Sequence, residues 1–179
     1  MINYQYIQDS IEYYEENGFL RIEAPWTVSE KVSDITKPDG VLNMQFKHND
    51  KCFVASGEQS FLYLYLKEFL PKGQYQTTTP CLRYENFDFL HTKYFIKNEL
   101  IKTDIVNESE LNKMVDIAFN FYKKYIPGID VVKTNIGYDI EIKGNELGSY
   151  GIRSCEFLDW VYGTGCAEPR LSKLISINR

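Results

Sequence analysis

Arg83-Tyr84-Glu85-Asn86-Phe87-Asp88-Phe89-Leu90-His91-Thr92-Lys93-Tyr94-Phe95-Ile96-Lys97-Asn98-Glu99 is the stretch on which the fold turns. With a strand period of two, Arg83 and Glu85 share one face of a first strand, and Phe95, Lys97 and Glu99 share one face of a second. A hairpin over about residues 76–103 converges a guanidinium, two carboxylates, an imidazole, an amine and an aromatic ring on one patch. Cations suit phosphate oxygens, a flat ring suits a base, and a carboxylate accepts from an exocyclic amine, so the patch reads as a nucleotide site. Taken alone it reads equally as a half-buried amphipathic hairpin with a solvated charged face.

Two other segments bear on that choice. Far along the chain, Trp160-Val161-Tyr162 leads into Gly163-Thr164-Gly165-Cys166-Ala167-Glu168-Pro169-Arg170. This reads as a buried strand entering a glycine turn that lets a ligand approach the backbone, with Leu171, Leu174 and Ile175 marking a helix beyond it. At the start of the chain, Tyr4, Ile7, Ile11 and Tyr14 recur at helical spacing, and Gly18 can terminate the helix. Phe19 to Pro25 then reads as a strand.

In this order the three segments resemble motifs 1, 2 and 3 of the class II aminoacyl-tRNA synthetase catalytic core, and the resemblance spans nearly the whole chain. It implies formation of an aminoacyl-adenylate from ATP, with Arg83 bridging the α-phosphate and the substrate carboxylate as the catalytic arginine. Glu85 would accept from the adenine amino group, His91 would stand near the terminal phosphates, and Phe95 would stack beneath the adenine. Gly163 and Gly165 would line the ATP site, and Arg170 would cover the other face of the adenine. Glu146 and Ser149 match a Glu-x-x-Ser arrangement that helps hold Mg²⁺ on the phosphates, and magnesium needs few protein ligands when phosphates supply the rest. Ser56 and Glu58 sit where related enzymes receive the substrate's α-amino group, and Lys97 and Glu99 point toward the amino-acid pocket. Motif 1 implies a homodimer through residues 4–25, which would also bury the aromatic-rich helix face.

Motif 3 carries Ala167 where a third glycine is common, and Pro169 stands directly before the arginine. Motif 2 is lysyl- or phenylalanyl-like and Glu146-Leu147-Gly148-Ser149 is seryl- or phenylalanyl-like, so the amino acid is not assigned. The acceptor is left open among tRNA, a carrier protein and a small molecule. The cysteine zinc ligands of carrier-protein ligases have no counterpart here. The alternatives are a non-catalytic paralogue acting as a dimerising or regulatory subunit, and a true tRNA ligase working with a partner.

Composition frames these expectations. The 179 residues fit one domain, 1–179, with no separate tRNA-binding domain. A hydrophobic fraction of 44% with 14 tyrosines argues against disorder. No apolar run approaches membrane-spanning length, and a soluble cytoplasmic protein is expected. The four cysteines lack paired short spacing, so they read as small buried apolar residues. A net charge of −5, without a basic tail, predicts weak and non-specific tRNA binding.

Residues 26–50 read as a polar irregular loop, Cys52 to Ala55 as a short strand, and Phe61 to Leu70 as a buried helix. Asn107 with Glu110 signals the start of a further helix running to Pro127. Val131-Val132, Tyr138 to Ile142 and Glu146 to Gly151 read as strands. Strands with a few interposed helices predict an α+β fold, a mostly antiparallel sheet flanked by helices.

Overall fold

Asn107 shows how local chemistry sets the framework. Its side chain accepts from the Glu110 amide at 3.0 Å, and the helix that follows buries Leu111, Met114, Val115, Ala118, Phe121 and Tyr122 on one face. A computed structural model describes residues 1–37, 50–84 and 88–178. In chain order its elements are α1 (Tyr4–Glu16), β1 (Leu20–Arg21), β2 (Thr27–Ser29), α2 (Glu30–Ser33), β3 (Lys51–Phe53), α3 (Gly57–Leu66) and β4 (Gln74–Leu82). There follow β5 (Tyr94–Lys102), α4 (Glu108–Lys123), β6 (Asp130–Lys133), β7 (Gly137–Ile142), β8 (Asn145–Cys155), β9 (Leu158–Glu168) and α5 (Arg170–Ile177).

Seven strands form one sheet in the order β1-β4-β5-β9-β8-β7-β6, antiparallel throughout except for the parallel β1–β4 pair. The fold is therefore α+β with a mostly antiparallel sheet flanked by helices, as the strand-rich pattern predicts. Among the described residues no helix is long and apolar enough to cross a membrane.

One sheet face is covered by α1, α4 and α5, whose apolar sides enclose a core containing Ile11, Tyr14, Leu100, Phe121, Tyr150 and Cys166. Each large apolar side chain buried there contributes about 1.5–3 kcal/mol. A polar thread crosses this core. Asn98 on β5 donates to Ser10 Oγ at 3.1 Å and to Gln76 Oε1 at 2.8 Å, while Gln76 donates to the carbonyls of Ile11 and Phe19. With its donors matched, this buried network fixes α1 on the sheet at little desolvation cost. The other face carries α2, α3 and the β2–β3 ribbon over a second core built around Phe61, Leu62, Ile101 and Trp160.

Several elements differ from the sequence expectations. The strand expected over Phe19 to Pro25 is the two-residue β1, extended only by the Ile22 amide donating to the Gln76 carbonyl. Part of the expected loop at 26–50 is ordered as β2 and α2 because Val28 and Val32 enter the second core; residues 38–49, with the expected Pro38-Asp39-Gly40 turn, lie outside the described residues. α3 begins and ends four residues before the expected helix, since the Ser56 side chain caps it by accepting from the Glu58 amide. The aromatic-rich face of α1 is buried inside the chain by Tyr14, Phe121 and their neighbours, so burial of that face requires no second copy.

Candidate functional site

Alternation along β5 sends Ile96, Asn98 and Leu100 toward the helices of the first core. Phe95, Lys97 and Glu99 line a cavity of about 270 Å³ on the opposite face. Of the thirteen residues expected at a site, this cavity gathers ten: Ser56, Glu58, Arg83, His91, Phe95, Lys97, Glu99, Glu146, Ser149 and Arg170. Glu85 lies outside the described residues.

At the hairpin end, the Arg83 amide donates to the Lys93 carbonyl at 3.0 Å and continues the β4–β5 pairing. Its Nε donates to the Ala55 carbonyl at 3.0 Å, and its guanidinium lies 5.1 Å from the centre of the Phe95 ring. Backbone and ring together fix the orientation of a planar cation. His91 Nδ1 is 2.7 Å from Asp88 Oδ2, while the Leu90 and His91 amides both donate to Asp88 Oδ1 at 2.7 Å. The His91 amide and then its ring hold the Asp88 carboxyl down to about 2. Lys173 of α5 ties this tip down, donating to the Phe89 carbonyl at 2.5 Å and lying 5.2 Å from its ring centre.

Along β8 and α5, Glu146 pairs with Arg170 at 2.6 Å, so a carboxylate expected to hold magnesium already holds the cation expected to cover the adenine. Ser149 stands opposite Asp139 of β7, whose carboxyl is pushed up mainly by burial. Among the described residues no group of three His, Cys, Asp or Glu side chains is placed to hold a metal. One carboxylate and one hydroxyl fit a magnesium ion that takes its remaining ligands from phosphates and water, provided Arg170 shares Glu146 with it.

The glycine turn is corrected. β9 continues through Gly163 and Gly165 to Glu168, with a bulge at Gly165 where its pairing with β5 shifts register, and neither glycine lines the cavity. A Cβ on Gly163 would meet Tyr150 at 2.6 Å and Met114 at 2.7 Å, and one on Gly165 would meet Tyr14 at 2.9 Å. Both glycines therefore face the helical core and make room for α1, α4 and Tyr150, while Thr164 between them faces the cavity.

At the third side, Gly57 lets the start of α3 close onto the sheet, since a Cβ there would lie 3.0 Å from the Cβ of Glu99. Ser56 thereby donates to Glu99 Oε2, and Lys97 pairs with the same oxygen at 2.9 Å. Glu58 was expected to receive an amino group, but both its oxygens are engaged within the chain. Arg153 of β8 donates to Oε2, and the Trp160 indole donates to Oε1 at 2.6 Å. Burial raises the Glu58 carboxyl above its ordinary range, against the pull of Arg153. The expected strand ends at Gly151 and so omits Arg153, while Trp160 and Tyr162 are expected only as part of a buried strand. Carrying its alternation from Ser149 past Gly151 would have brought Arg153 onto the site face.

No family model and no curated protein sequence matches the chain. Solved structures do. Seryl-tRNA synthetase from Pyrococcus horikoshii, complexed with ATP, aligns over 96% of this chain and 49% of its own at 15% identity, with a TM-score of 0.78. The cytoplasmic serine-tRNA ligase of Naegleria fowleri, in complex with AMP, aligns over 97% and 53% at 15% identity and a TM-score of 0.71. Pyrrolysyl-tRNA synthetase from Desulfitobacterium hafniense aligns over 97% and 69% at 16% identity, also at 0.71. The chain spans about half the length of the two seryl enzymes. Identity this low speaks to architecture alone, and in architecture the chain has the fold of the class II aminoacyl-tRNA synthetase catalytic core.

Proposed function

We propose that the chain is an ATP-dependent ligase that activates an amino acid, or a similar carboxylate, as an acyl-adenylate. The observation that carries this reading is the single cavity joining Arg83, His91, Phe95 and Arg170 to Ser56, Lys97 and Glu99. In the reaction a carboxylate oxygen forms a bond to the α-phosphorus, and the bond to the bridging oxygen breaks, its electron pair leaving with pyrophosphate. Arg83 touches both the α-phosphate and the carboxylate, holding them in line and neutralising charge as it develops. Phe95 and Arg170 sandwich the adenine, Glu85 accepts from its amino group, and His91 meets the terminal phosphates. Magnesium held by Glu146 and Ser149 would supply charge neutralisation to those phosphates. Gly163 and Gly165 play no ligand-facing part in this reading. The acyl group then passes to tRNA, a carrier protein or a small molecule.

Assembly as a homodimer through residues 4–25 belongs to the same reading. Within that segment it rests on Leu20 of β1, which is 63% exposed, rather than on the buried face of α1. A sedimentation mass of one chain at tens of micromolar would remove it.

Amino-acid-dependent exchange of pyrophosphate into ATP, run with a panel of amino acids, tests the activity. Arg83→Ala is expected to lower the exchange rate roughly 10²-fold or more while weakening ATP binding far less, because its contact strengthens in the transition state. Absence of ATP binding by calorimetry at millimolar nucleotide would overturn the enzyme reading in favour of a non-catalytic paralogue.

A further inference from the structure

The side of the cavity farthest from the hairpin tip carries an arrangement that the resemblance does not supply. Resting on the adenylate-forming reading above, we propose that the Glu58–Arg153 ion pair, set between Trp160 and Tyr162, is the specificity filter of the site and restricts the substrate to an amino acid with a small, uncharged side chain.

Charge is the first argument. Glu58 and Glu99 are 4% and 1% exposed in their side chains, and each is already matched, to Arg153 and to Lys97. A charged side chain placed against Glu58 and Arg153 would find its counter-charge taken, and an unpaired charge out of water is strongly disfavoured.

Bulk is the second. The Arg153 guanidinium lies 4.1 Å from the centre of the Tyr162 ring. That ring sits over Gly151, where a Cβ would come within 2.8 Å of the Tyr162 hydroxyl, so it has no room to recede on that side. Behind Glu58, Trp160 is fully buried. The wall is thus packed from both sides, and about 270 Å³ must also serve the nucleotide. Ligand pockets commonly run from about 300 to 1,000 Å³.

A third observation points to the ligand itself. Among the described residues Glu99 Oε1 is buried without a hydrogen-bond partner, although Oε2 of the same group takes donors from both Ser56 and Lys97. A buried acceptor left unmet calls for a donor, which the α-ammonium of an amino acid brings and a simple carboxylic acid does not.

The test is pyrophosphate exchange by the full chain with glycine, alanine, serine, leucine, phenylalanine, lysine and glutamate, alongside ATP binding by calorimetry. The small residues are expected to outperform the large and charged ones by about 10²-fold, the scale at which a pocket rejects added methylenes. Glu58→Gln with Arg153→Ala, which leaves no lone buried charge and keeps an acceptor for Trp160, should bring leucine and phenylalanine within about tenfold of alanine. A wild-type preference for a large or charged residue overturns the filter, and so does a folded double variant that keeps the wild-type profile. Should the double variant fail to fold, the wild-type profile decides. ATP binding with the wrong profile overturns the filter alone, whereas no ATP binding overturns the adenylate reading with it.

Discussion

The two faces of the sheet are made by the same strands and solve opposite problems. On the helix-covered face, alternate residues of β5, β8 and β9 are apolar, small or fully hydrogen-bonded, and glycines bring α1 and α4 close. On the cavity face the intervening residues are Lys97, Glu99, Ser149, Arg153 and Thr164, held by ion pairs and by one another. The helix-covered face is given over to packing, whereas the cavity face carries the site beside the second core. A substitution on the helix-covered face can therefore be expected to affect stability without touching the site.

The sharpest break of that comparison lies on the helix face. Phe121→Ala, which empties the centre of the aromatic cluster with Tyr13, Tyr14 and Tyr122, should cost about 3–5 kcal/mol in denaturant unfolding. Gly163→Ala should cost about 1–3 kcal/mol by overpacking against Tyr150 and Met114. If Gly163→Ala instead left stability intact and weakened nucleotide binding, the glycine would belong to the site face and the turn reading would return.

A smaller effect sharpens the other side. The Asp88 carboxyl sits at about 2, below its ordinary 3.8, so its contribution to the hairpin tip is present above pH 3.8 and lost as pH falls through about 2. NMR titration of the Asp88 carboxyl and the His91 amide should share a midpoint near pH 2. A midpoint near 3.8 would mean that the tip does not hold His91 over the cavity.

Much of this division was legible from residue order. The spacing of Ile7, Ile11 and Tyr14, the Asn107 cap and the alternation of Phe95, Lys97 and Glu99 each express a local rule that the fold obeys. What was not legible depended on partners distant in the chain. Gly163 and Gly165 carry the local signal of a turn, but their smallness answers to helices more than a hundred residues away or across the core. Ser56-Gly57-Glu58 looks like loop until Ser56 is seen as a cap and Gly57 as the point of closest approach to β5. Arg153 stood unnoticed because nothing local says that a strand continues beyond Gly151, whereas pairing with β9 carries it on to Cys155.

The β5–β9 pairing has a consequence for how activity is acquired. β4–β5 and β7–β8–β9 are each built from neighbouring segments, but the seam between them joins Ile96 to Glu168 and Lys102 to Val161 across an intervening helix and three strands. Closing such a loop carries an entropic cost that adjacent hairpins avoid, so pairings of this kind form slowly. Arg83, Phe95 and Lys97 lie on one side of the seam and Glu146, Arg153 and Arg170 on the other. During refolding, strand and helix signals should accordingly recover ahead of the capacity to bind ligand, which begins only when the two halves zip together.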